Sequence, residues 1–202
     1  MKPQAVVFDL GKVLVHFDWA IAARRMAGHS ALTAAQLLRV FDYSPLVVDY
    51  ELGRVSNDEF IAQASRIAGF TGSPAQFAAI FADIFTEMTD MTALHAELRR
   101  RGVPTFIFSN TNDLAVQHVR AHFPFFAQFD GYVLSYEHGA MKPHATLYEV
   151  VERTTGQQGS DLLYIDDRPE NIAAGRARGW QVILQVQPRT TIAAVRATGL
   201  LD

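Results

Sequence analysis

The sequence predicts an α/β protein in which a parallel sheet carries crossover helices and a helical module is inserted after the first strand. Short apolar runs rich in β-branched and aromatic residues recur along the chain, and most show little polar alternation. Such runs are typical of strands that are covered on both faces. Helix-like stretches separate the later runs, and strands that alternate with helices indicate a parallel sheet.

Five runs are predicted as strands, of which the third along the chain is the weakest: residues 5–10, 103–109, 131–135, 162–165 and 182–186. Five helices are predicted around the later strands: residues 92–101, 112–122, 145–154, 169–178 and 191–198. Gly102, Gly156 and Gly179 stand where three of these helices should end, as C-terminal glycines commonly do.

The interval between the first two strands breaks this alternation, because it spans about ninety residues, far more than a crossover connection needs. Five more helices are predicted there: residues 19–26, 33–41, 46–52, 56–68 and 74–85. Ser56 and Glu59 have the spacing of a capping box. We therefore predict an inserted helical cap over residues 18–88 and a core over residues 1–17 and 89–202. Such a module above the carboxyl edge of a sheet is suited to act as a lid.

Composition excludes several kinds of chemistry. The chain has 202 residues, 18 Lys and Arg against 21 Asp and Glu, and no cysteine. It therefore has no disulfide, no thiolate metal site and no cysteine nucleophile. The net charge of −3 disfavours nucleic acid or an anionic membrane as a partner, since both normally require a basic excess. No run resembles a signal peptide or approaches the roughly 18 apolar residues of a membrane span, so we expect a cytoplasmic protein.

Four polar clusters follow strand-like runs. They are Asp9-Leu10-Gly11-Lys12, Ser109-Asn110-Thr111, Lys142-Pro143 and Asp166-Asp167. Taken singly, they can be a turn, a helix cap, a solvated lysine and a helix start. Because the carboxyl ends of parallel strands meet at one edge of a sheet, the four clusters together predict a single ligand site.

These residue types suit phosphoryl transfer. The carboxylates of Asp9, Asp166 and Asp167 would repel one another unless they share a cation. Oxygen ligands of this kind suit Mg²⁺, while a lysine and hydroxyl groups suit the oxygen atoms of a phosphate. An aspartate can attack phosphorus to give an aspartyl-phosphate that water later cleaves. Metal and lysine would neutralise charge on the transferring group.

In order and spacing, these clusters, with Pro169, Glu170 and Asn171, resemble the four motifs of the haloacid dehalogenase (HAD) superfamily of hydrolases. The resemblance covers nearly the whole chain. It implies a Rossmann-like three-layer core with an inserted α-helical cap. It also implies a Mg²⁺-dependent phosphatase that hydrolyses a small phosphate monoester, a sugar phosphate among the candidates, through an aspartyl-phosphate. The partner would be a small phosphorylated metabolite, and we make no prediction of the oligomeric state.

The resemblance also implies roles for the clustered residues. Asp9 would be the nucleophile, and Lys142 would stabilise charge on the phosphoryl group. The phosphate would be held by side chains that follow two strands: Ser109, Asn110, Thr111 and Lys142. Mg²⁺ would be held by oxygen atoms: the Asp9 carboxylate, the Gly11 carbonyl and the Asp167 carboxylate, with Asp166 in support.

Gly11 departs from the pattern of typical phosphatases of the family, which carry a second aspartate at this position as general acid and base. General acid–base catalysis is worth roughly 10²–10⁴-fold. Similar members with glycine there include a bacterial phosphatase of α-glucose-1-phosphate. We therefore expect a preference for good leaving groups, as in sugar-1-phosphates, aryl phosphates or acyl phosphates. Two alternatives stay open: a catalytically weak phosphometabolite-binding protein and, less favoured by the acidic pair 166–167, a haloacid dehalogenase.

Other polar residues are weaker candidates for a role in the site. His16 could supply a substitute acid, whereas Asp18 has the position of a helix N-cap before Trp19. Arg24 and Arg25 are expected to face solvent. The run 123–126 is expected to pack in the core or an interface. Three residues of the predicted cap could select substrate: Glu51, Arg54 and Asn57.

Overall fold

The computed structural model describes residues 2–41 and 44–201 of the chain. Within them a five-stranded sheet has the order β5-β4-β1-β6-β7, and every neighbouring pair is parallel. Its strands are β1 (Ala5–Phe8), β4 (Thr105–Ser109), β5 (Gly131–Leu134), β6 (Leu162–Asp166) and β7 (Gln181–Leu184). A separate antiparallel pair consists of β2 (Val15–Phe17) and β3 (Phe85–Glu87). The predicted parallel α/β sheet is confirmed.

Helices cover both faces of the five-stranded sheet. Those that follow the first interval are α6 (Thr89–Arg100), α7 (Asp113–His122), α8 (Ser135–His138), α9 (Ala145–Thr155), α10 (Pro169–Ala177) and α11 (Pro188–Arg196). Side chains alternate along a strand, so Val6 and Phe8 enter one apolar cluster with α6, α7 and α11. Ala5 and Val7 enter another with α9 and α10. Two apolar layers on opposite sides of one sheet make the three-layer, Rossmann-like core.

Five helices lie between β2 and β3: α1 (Trp19–Ala27), α2 (Ala34–Phe41), α3 (Pro45–Glu51), α4 (Asn57–Ala68) and α5 (Pro74–Ala82). These helices share an apolar cluster that is rich in aromatic residues. Among the described residues, Leu114 is the only member of this cluster that lies outside the β2–β3 interval. The predicted capping box of Ser56 and Glu59 is formed, and the Asp18 carboxylate accepts from Ala20 N at 2.8 Å as an N-cap. The division of the chain into domains at residues 18 and 88 stays a prediction.

The prediction of a helix over residues 74–85 is wrong at its end. The helix stops at Ala82, and Phe85 begins β3, which pairs with β2. The apolar residues 84 and 85 continue the helical pattern locally, but Phe85 pairs with Phe17 of β2, and the carbonyl oxygen of Ile84 accepts from Asp18 N at 3.1 Å. The run 123–126 packs in the core as expected, with Phe125 and Phe126 buried. None of the described helices is long and apolar enough to cross a membrane.

Candidate active site

Functional side chains meet at the carboxyl edge of the sheet, beyond three neighbouring strands. Asp9 directly follows β1, Ser109 ends β4 and Asp166 ends β6. Because β1 lies between β4 and β6, the three residues are brought to the same place. Lys142 approaches them from the loop between α8 and α9. All four residues are buried.

The Lys142 ammonium is the centre of this cluster. Its Nζ lies 2.9 Å from Asp9 Oδ1 and 2.7 Å from Asp166 Oδ2, and it donates to the carbonyl oxygen of Phe108 at 2.8 Å. Burial opposes its positive charge, but attraction to Asp166 and Asp9 outweighs burial and raises the pKa of Lys142. Lys142 therefore stays charged and holds the Asp9 carboxylate in one orientation.

Both oxygen atoms of Asp166 are occupied by hydrogen bonds. Oδ2 accepts from Lys142 and from the Tyr164 hydroxyl, while Oδ1 accepts from Arg168 N at 2.8 Å and Asn171 Nδ2 at 3.0 Å. Burial favours the protonated acid, but Lys142 and these donors outweigh it and lower the pKa of Asp166. This fully engaged carboxylate can orient Lys142 and leaves little capacity for a further ligand.

A possible cation site is formed by the carboxylates of Asp9, Asp166 and Asp167, which offer oxygen atoms within 4.8 Å of one another. Burial raises the pKa of Asp9 to about 7; the two neighbouring carboxylates add to this rise and Lys142 opposes it. Burial, followed by the charge of Asp166, also raises the pKa of Asp167. Excess negative charge on hard oxygen donors fits a divalent cation such as Mg²⁺.

The loop after β1 turns tightly around the site. Lys12 has a left-handed backbone with φ of 57°, and its N–H donates to the carbonyl oxygen of Val15 at 2.6 Å. A Cβ atom at Gly11 would lie 2.9 Å from the ring of Phe17, closer than real Cβ contacts. The Phe17 ring therefore fills the space that an acidic side chain at position 11 would need.

The loop after β4 is tied to the loop that carries Lys142. The Asn110 amide accepts from Lys142 N at 2.7 Å and donates to the Lys142 carbonyl oxygen at 3.0 Å. On the other side, Thr111 N donates to Ser135 Oγ at 2.9 Å, and this hydroxyl donates back to the Thr111 carbonyl oxygen at 3.0 Å. These paired bonds place the polar groups of residues 109–111 beside Lys142.

The site opens into a cavity of about 250 Å³. We call the polar residues at the strand ends the floor: Asp9, Lys12, Ser109, Asn110, Thr111, Asn112, Lys142, Asp167, Arg168 and Asn171. We call the apolar residues from the β2–β3 interval the wall: Phe17, Trp19, Phe41, Val47, Val48, Phe81, Ile84 and Phe85. Glu51 also lines the cavity from this interval. The cavity thus has one polar and one apolar side.

Comparison with known proteins identifies the family of the chain. The sequence pattern of the haloacid dehalogenase-like hydrolase family matches residues 3–179. The chain belongs to this family. It is 26% identical to a sesquiterpene phosphatase, astK, of Aspergillus oryzae over 179 residues, 87% of this chain and 86% of that protein. It is 25% identical to a D-ribitol-5-phosphate phosphatase of Bacteroides thetaiotaomicron over 185 residues, 87% of this chain and 88% of that protein.

A solved structure supports the fold. A HAD family enzyme of Bacteroides thetaiotaomicron, in complex with magnesium and inorganic phosphate, superposes with a TM-score of 0.77 at 22% identity. The match covers 90% of this chain and 93% of that one. The family membership makes this chain a hydrolase, and the relatives named above are phosphatases.

The structure of this HAD hydrolase brings together all the predicted site residues at one cavity, with Asp166 directly behind Lys142. Of the weaker candidates, only Glu51 lines the cavity. Arg54 pairs with Asp49 at 2.8 Å. The remaining candidates are also absent from the lining: His16, Asp18, Arg24, Arg25 and Asn57.

Three contributors to the site were missed by the sequence reasoning. Tyr164 stands two residues before Asp166, so strand alternation places both on one face and could have revealed it. Ser135 follows the weak strand β5, where a polar residue at a strand end was a usable signal. Phe17 has no such signal, because its place beside Gly11 depends on the pairing of β2 with β3.

Proposed function

We propose that this hydrolase is a Mg²⁺-dependent phosphatase that cleaves a phosphate monoester through a phosphorylated Asp9. The observation that carries the proposal is the buried ion pair of Asp9 and Lys142, 2.9 Å apart, at the bottom of an open cavity. A carboxylate held by a cation and facing a cavity is positioned to attack phosphorus. Hydroxyl and amide groups at residues 109–111 stand beside it to receive the phosphoryl oxygens.

Mg²⁺ fits the oxygen donors at the floor. In the proposal it is held by the carboxylates of Asp9 and Asp167 and by the carbonyl oxygen of Gly11. Asp166 supports the ligands from behind, since its own oxygen atoms already accept from Lys142 and three further donors. When bound, the cation supplies positive charge to the transferring phosphoryl group. The magnesium and phosphate in the related Bacteroides structure support this assignment.

The protein's own residues account for the transfer. An Asp9 carboxylate oxygen forms a bond to phosphorus, the ester P–O bond breaks, and its electron pair stays on the leaving oxygen, which takes a proton from solvent. Lys142 offsets charge on the phosphoryl oxygens, and Ser109 and Asn110 hold them. Water then attacks phosphorus, the bond to Asp9 breaks, and inorganic phosphate leaves with the carboxylate regenerated.

Gly11 shapes the choice of substrate within this proposal. With the Phe17 ring against it, this position offers no side-chain acid to protonate the leaving oxygen. Esters whose leaving oxygen is already a weak base are therefore favoured. The substrate is proposed to be a small phosphorylated metabolite, since two relatives are a D-ribitol-5-phosphate phosphatase and a sesquiterpene phosphatase. A cytoplasmic location stays a prediction.

A second candidate function rests on the same glycine. Without a side-chain acid at position 11, the chain could bind a phosphorylated metabolite and turn it over weakly or not at all. Measurement of phosphate release distinguishes the phosphatase from the binding protein. We expect wild-type protein to hydrolyse 4-nitrophenyl phosphate with Mg²⁺ and not with EDTA, and Asp9→Asn to lose at least about 10³-fold in kcat. Binding of phosphate esters without any turnover would favour the binding protein.

A further inference from the structure

The wall is unusually uniform for a pocket that receives a phosphorylated metabolite. Every described residue that lines the cavity from the interval 15–87 is apolar, with the exception of Glu51. The polar groups, by contrast, belong to the floor, where the phosphate is expected. Among the residues that the structure describes, the side of the cavity that faces the leaving group therefore consists almost entirely of hydrocarbon.

Aromatic contacts make the wall continuous. The ring centroid of Phe17 lies 6.5 Å from those of Phe85 and Trp19. Trp19 in turn stacks on Phe41 at 6.2 Å and contacts Phe81 at 5.0 Å. The indole N–H of Trp19 is the one polar group that these rings carry.

The raised pKa of Glu51 indicates that its surroundings in the cavity are apolar. Burial raises the pKa of its carboxyl to about 7, with Arg168 opposing the rise. Among the described residues, no hydrogen bond to the Glu51 carboxylate is formed. A single carboxylate can accept from two neighbouring hydroxyls of a ligand, which falls short of the several hydroxyls of a sugar or polyol.

We infer that the substrate of this site is the phosphate monoester of a hydrophobic alcohol, whose hydrocarbon part packs against the wall while its phosphate binds the floor. The inference rests on the proposed phosphatase function. A polyol placed against the wall would lose its hydrogen bonds to water without replacement, whereas a hydrocarbon would be removed from water at a gain. Gly11 and Phe17 are consistent with this inference, because neither offers a polar side-chain group to the leaving group.

The decisive comparison uses two esters of six-carbon primary alcohols, hexyl phosphate and glucitol 6-phosphate. Their leaving oxygens are similar in basicity, so the missing acid at position 11 slows both esters alike and leaves the ratio of their kcat/KM values to report on the wall. We expect kcat/KM to be at least about 100-fold higher for hexyl phosphate, since each unpaired hydroxyl is disfavoured in the cavity. Equal values, or a preference for glucitol 6-phosphate, would overturn the inference while leaving the phosphatase proposal intact. Failure to hydrolyse either ester or 4-nitrophenyl phosphate would overturn both.

Two variants of the cavity test whether the wall is responsible, and they act in opposite directions. Val48→Thr keeps the shape of a half-buried wall residue and adds a hydroxyl, so the ratio of kcat/KM for hexyl phosphate over glucitol 6-phosphate should fall by about fivefold. Glu51→Leu removes the one polar group and should raise the same ratio by about fivefold. Val186→Thr, at a residue that is exposed and does not line the cavity, is the matched control and should leave the ratio unchanged. Unchanged ratios in both cavity variants would show that the leaving group does not contact the wall.

Discussion

The floor and the wall of the cavity differ in every physical respect that matters for catalysis. The floor consists of charged and polar groups locked by hydrogen bonds and ion pairs, such as the Lys142 ammonium between the Asp9 carboxylate and the Asp166 carboxylate behind it. The wall consists of ring and aliphatic contacts with no such network. Directional bonds fix the position of a reacting atom, whereas apolar contacts only select shape and polarity. In the proposed function, chemistry and selection of substrate therefore belong to different parts of the chain.

The largest effect is expected from the centre of the floor. Lys142→Met leaves the Asp9 and Asp166 carboxylates without their shared cation, so kcat should fall by about 10³-fold. Stability should also fall by about 3 kcal/mol, because two buried carboxylates lose their partner. Phosphate release and urea unfolding measure the two effects. Lys2→Met, at an exposed lysine, is the control; a Lys142→Met protein as active as this control would contradict the account of the floor.

The two adjacent acids at the end of β6 should behave differently. Asp167→Asn should raise the Mg²⁺ concentration for half-maximal activity by about 100-fold with little loss of stability, since Asp167 is a direct ligand in the proposal. Asp166→Asn should instead destabilise the protein by about 2 kcal/mol, because Lys142 and Tyr164 lose their charged acceptor. Magnesium titration and urea unfolding of both variants separate the roles, and identical profiles would show that the distinction is wrong.

A smaller effect is expected where the helices that carry the wall contact the helix after β4. Asn57 Nδ2 on α4 donates to Asp113 Oδ2 on α7 at 2.6 Å, and the Tyr50 hydroxyl accepts from Leu114 N at 3.1 Å. Asn57→Ala should cost about 1 kcal/mol of stability and change kcat/KM by no more than a few-fold. A double-mutant cycle with Asp113→Ala should give a coupling energy near 1 kcal/mol, and a coupling of zero would mean that the bond does not join the two regions.

The smallest effect on turnover is expected at His95 on α6, which contacts the first residue of β4 at the edge of the sheet opposite the floor. Its Nε2 lies 3.1 Å from Thr105 Oγ1, and its ring stacks on Phe129. Burial, followed by the charge of Arg99, lowers the pKa of His95 to about 4. Between pH 6.5 and 4 the unfolded chain thus binds a proton that the folded chain does not, so stability falls as the pH falls.

The free energy of unfolding should fall by about 2 kcal/mol between pH 6.5 and pH 4. Substitution of His95 should leave kcat at neutral pH unchanged. Urea unfolding at several pH values measures the free energy, and His95→Gln should show a shallower pH dependence. A pH dependence as steep in the variant as in the wild-type protein would assign the loss to other groups.

The floor was predictable because strand ends converge. Asp9, Ser109 and Asp166 each follow an apolar run, and the parallel order of β1, β4 and β6 brings them together without knowledge of any other contact. Local patterns also revealed the capping box of Ser56 and the strands themselves. Tyr164 was accessible by the alternation of side chains, because it lies in the predicted strand 162–165, two residues before Asp166.

The wall was not predictable, because it is assembled from elements distant in sequence. Phe17, Trp19 and Phe81 come from β2, α1 and α5, and nothing in their local sequence shows that they face one cavity. The predicted helix 74–85 took in Phe85, the first residue of the short strand β3, and the strand itself was not predicted, since three residues carry too weak a pattern. Pairing with β2 decides its structure, and only the folded chain shows that contact.

The central claim is that Asp9 is the nucleophile and carries the phosphoryl group during turnover. Rapid acid quench of the wild-type enzyme with 4-nitrophenyl phosphate and Mg²⁺, followed by mass spectrometry of its peptides, tests this directly. The account predicts one added phosphoryl group on the peptide that contains Asp9, lost after treatment with hydroxylamine and absent in Asp9→Asn. Turnover with no phosphorylated Asp9, or a phosphoryl group that persists in Asp9→Asn on another residue, would contradict it.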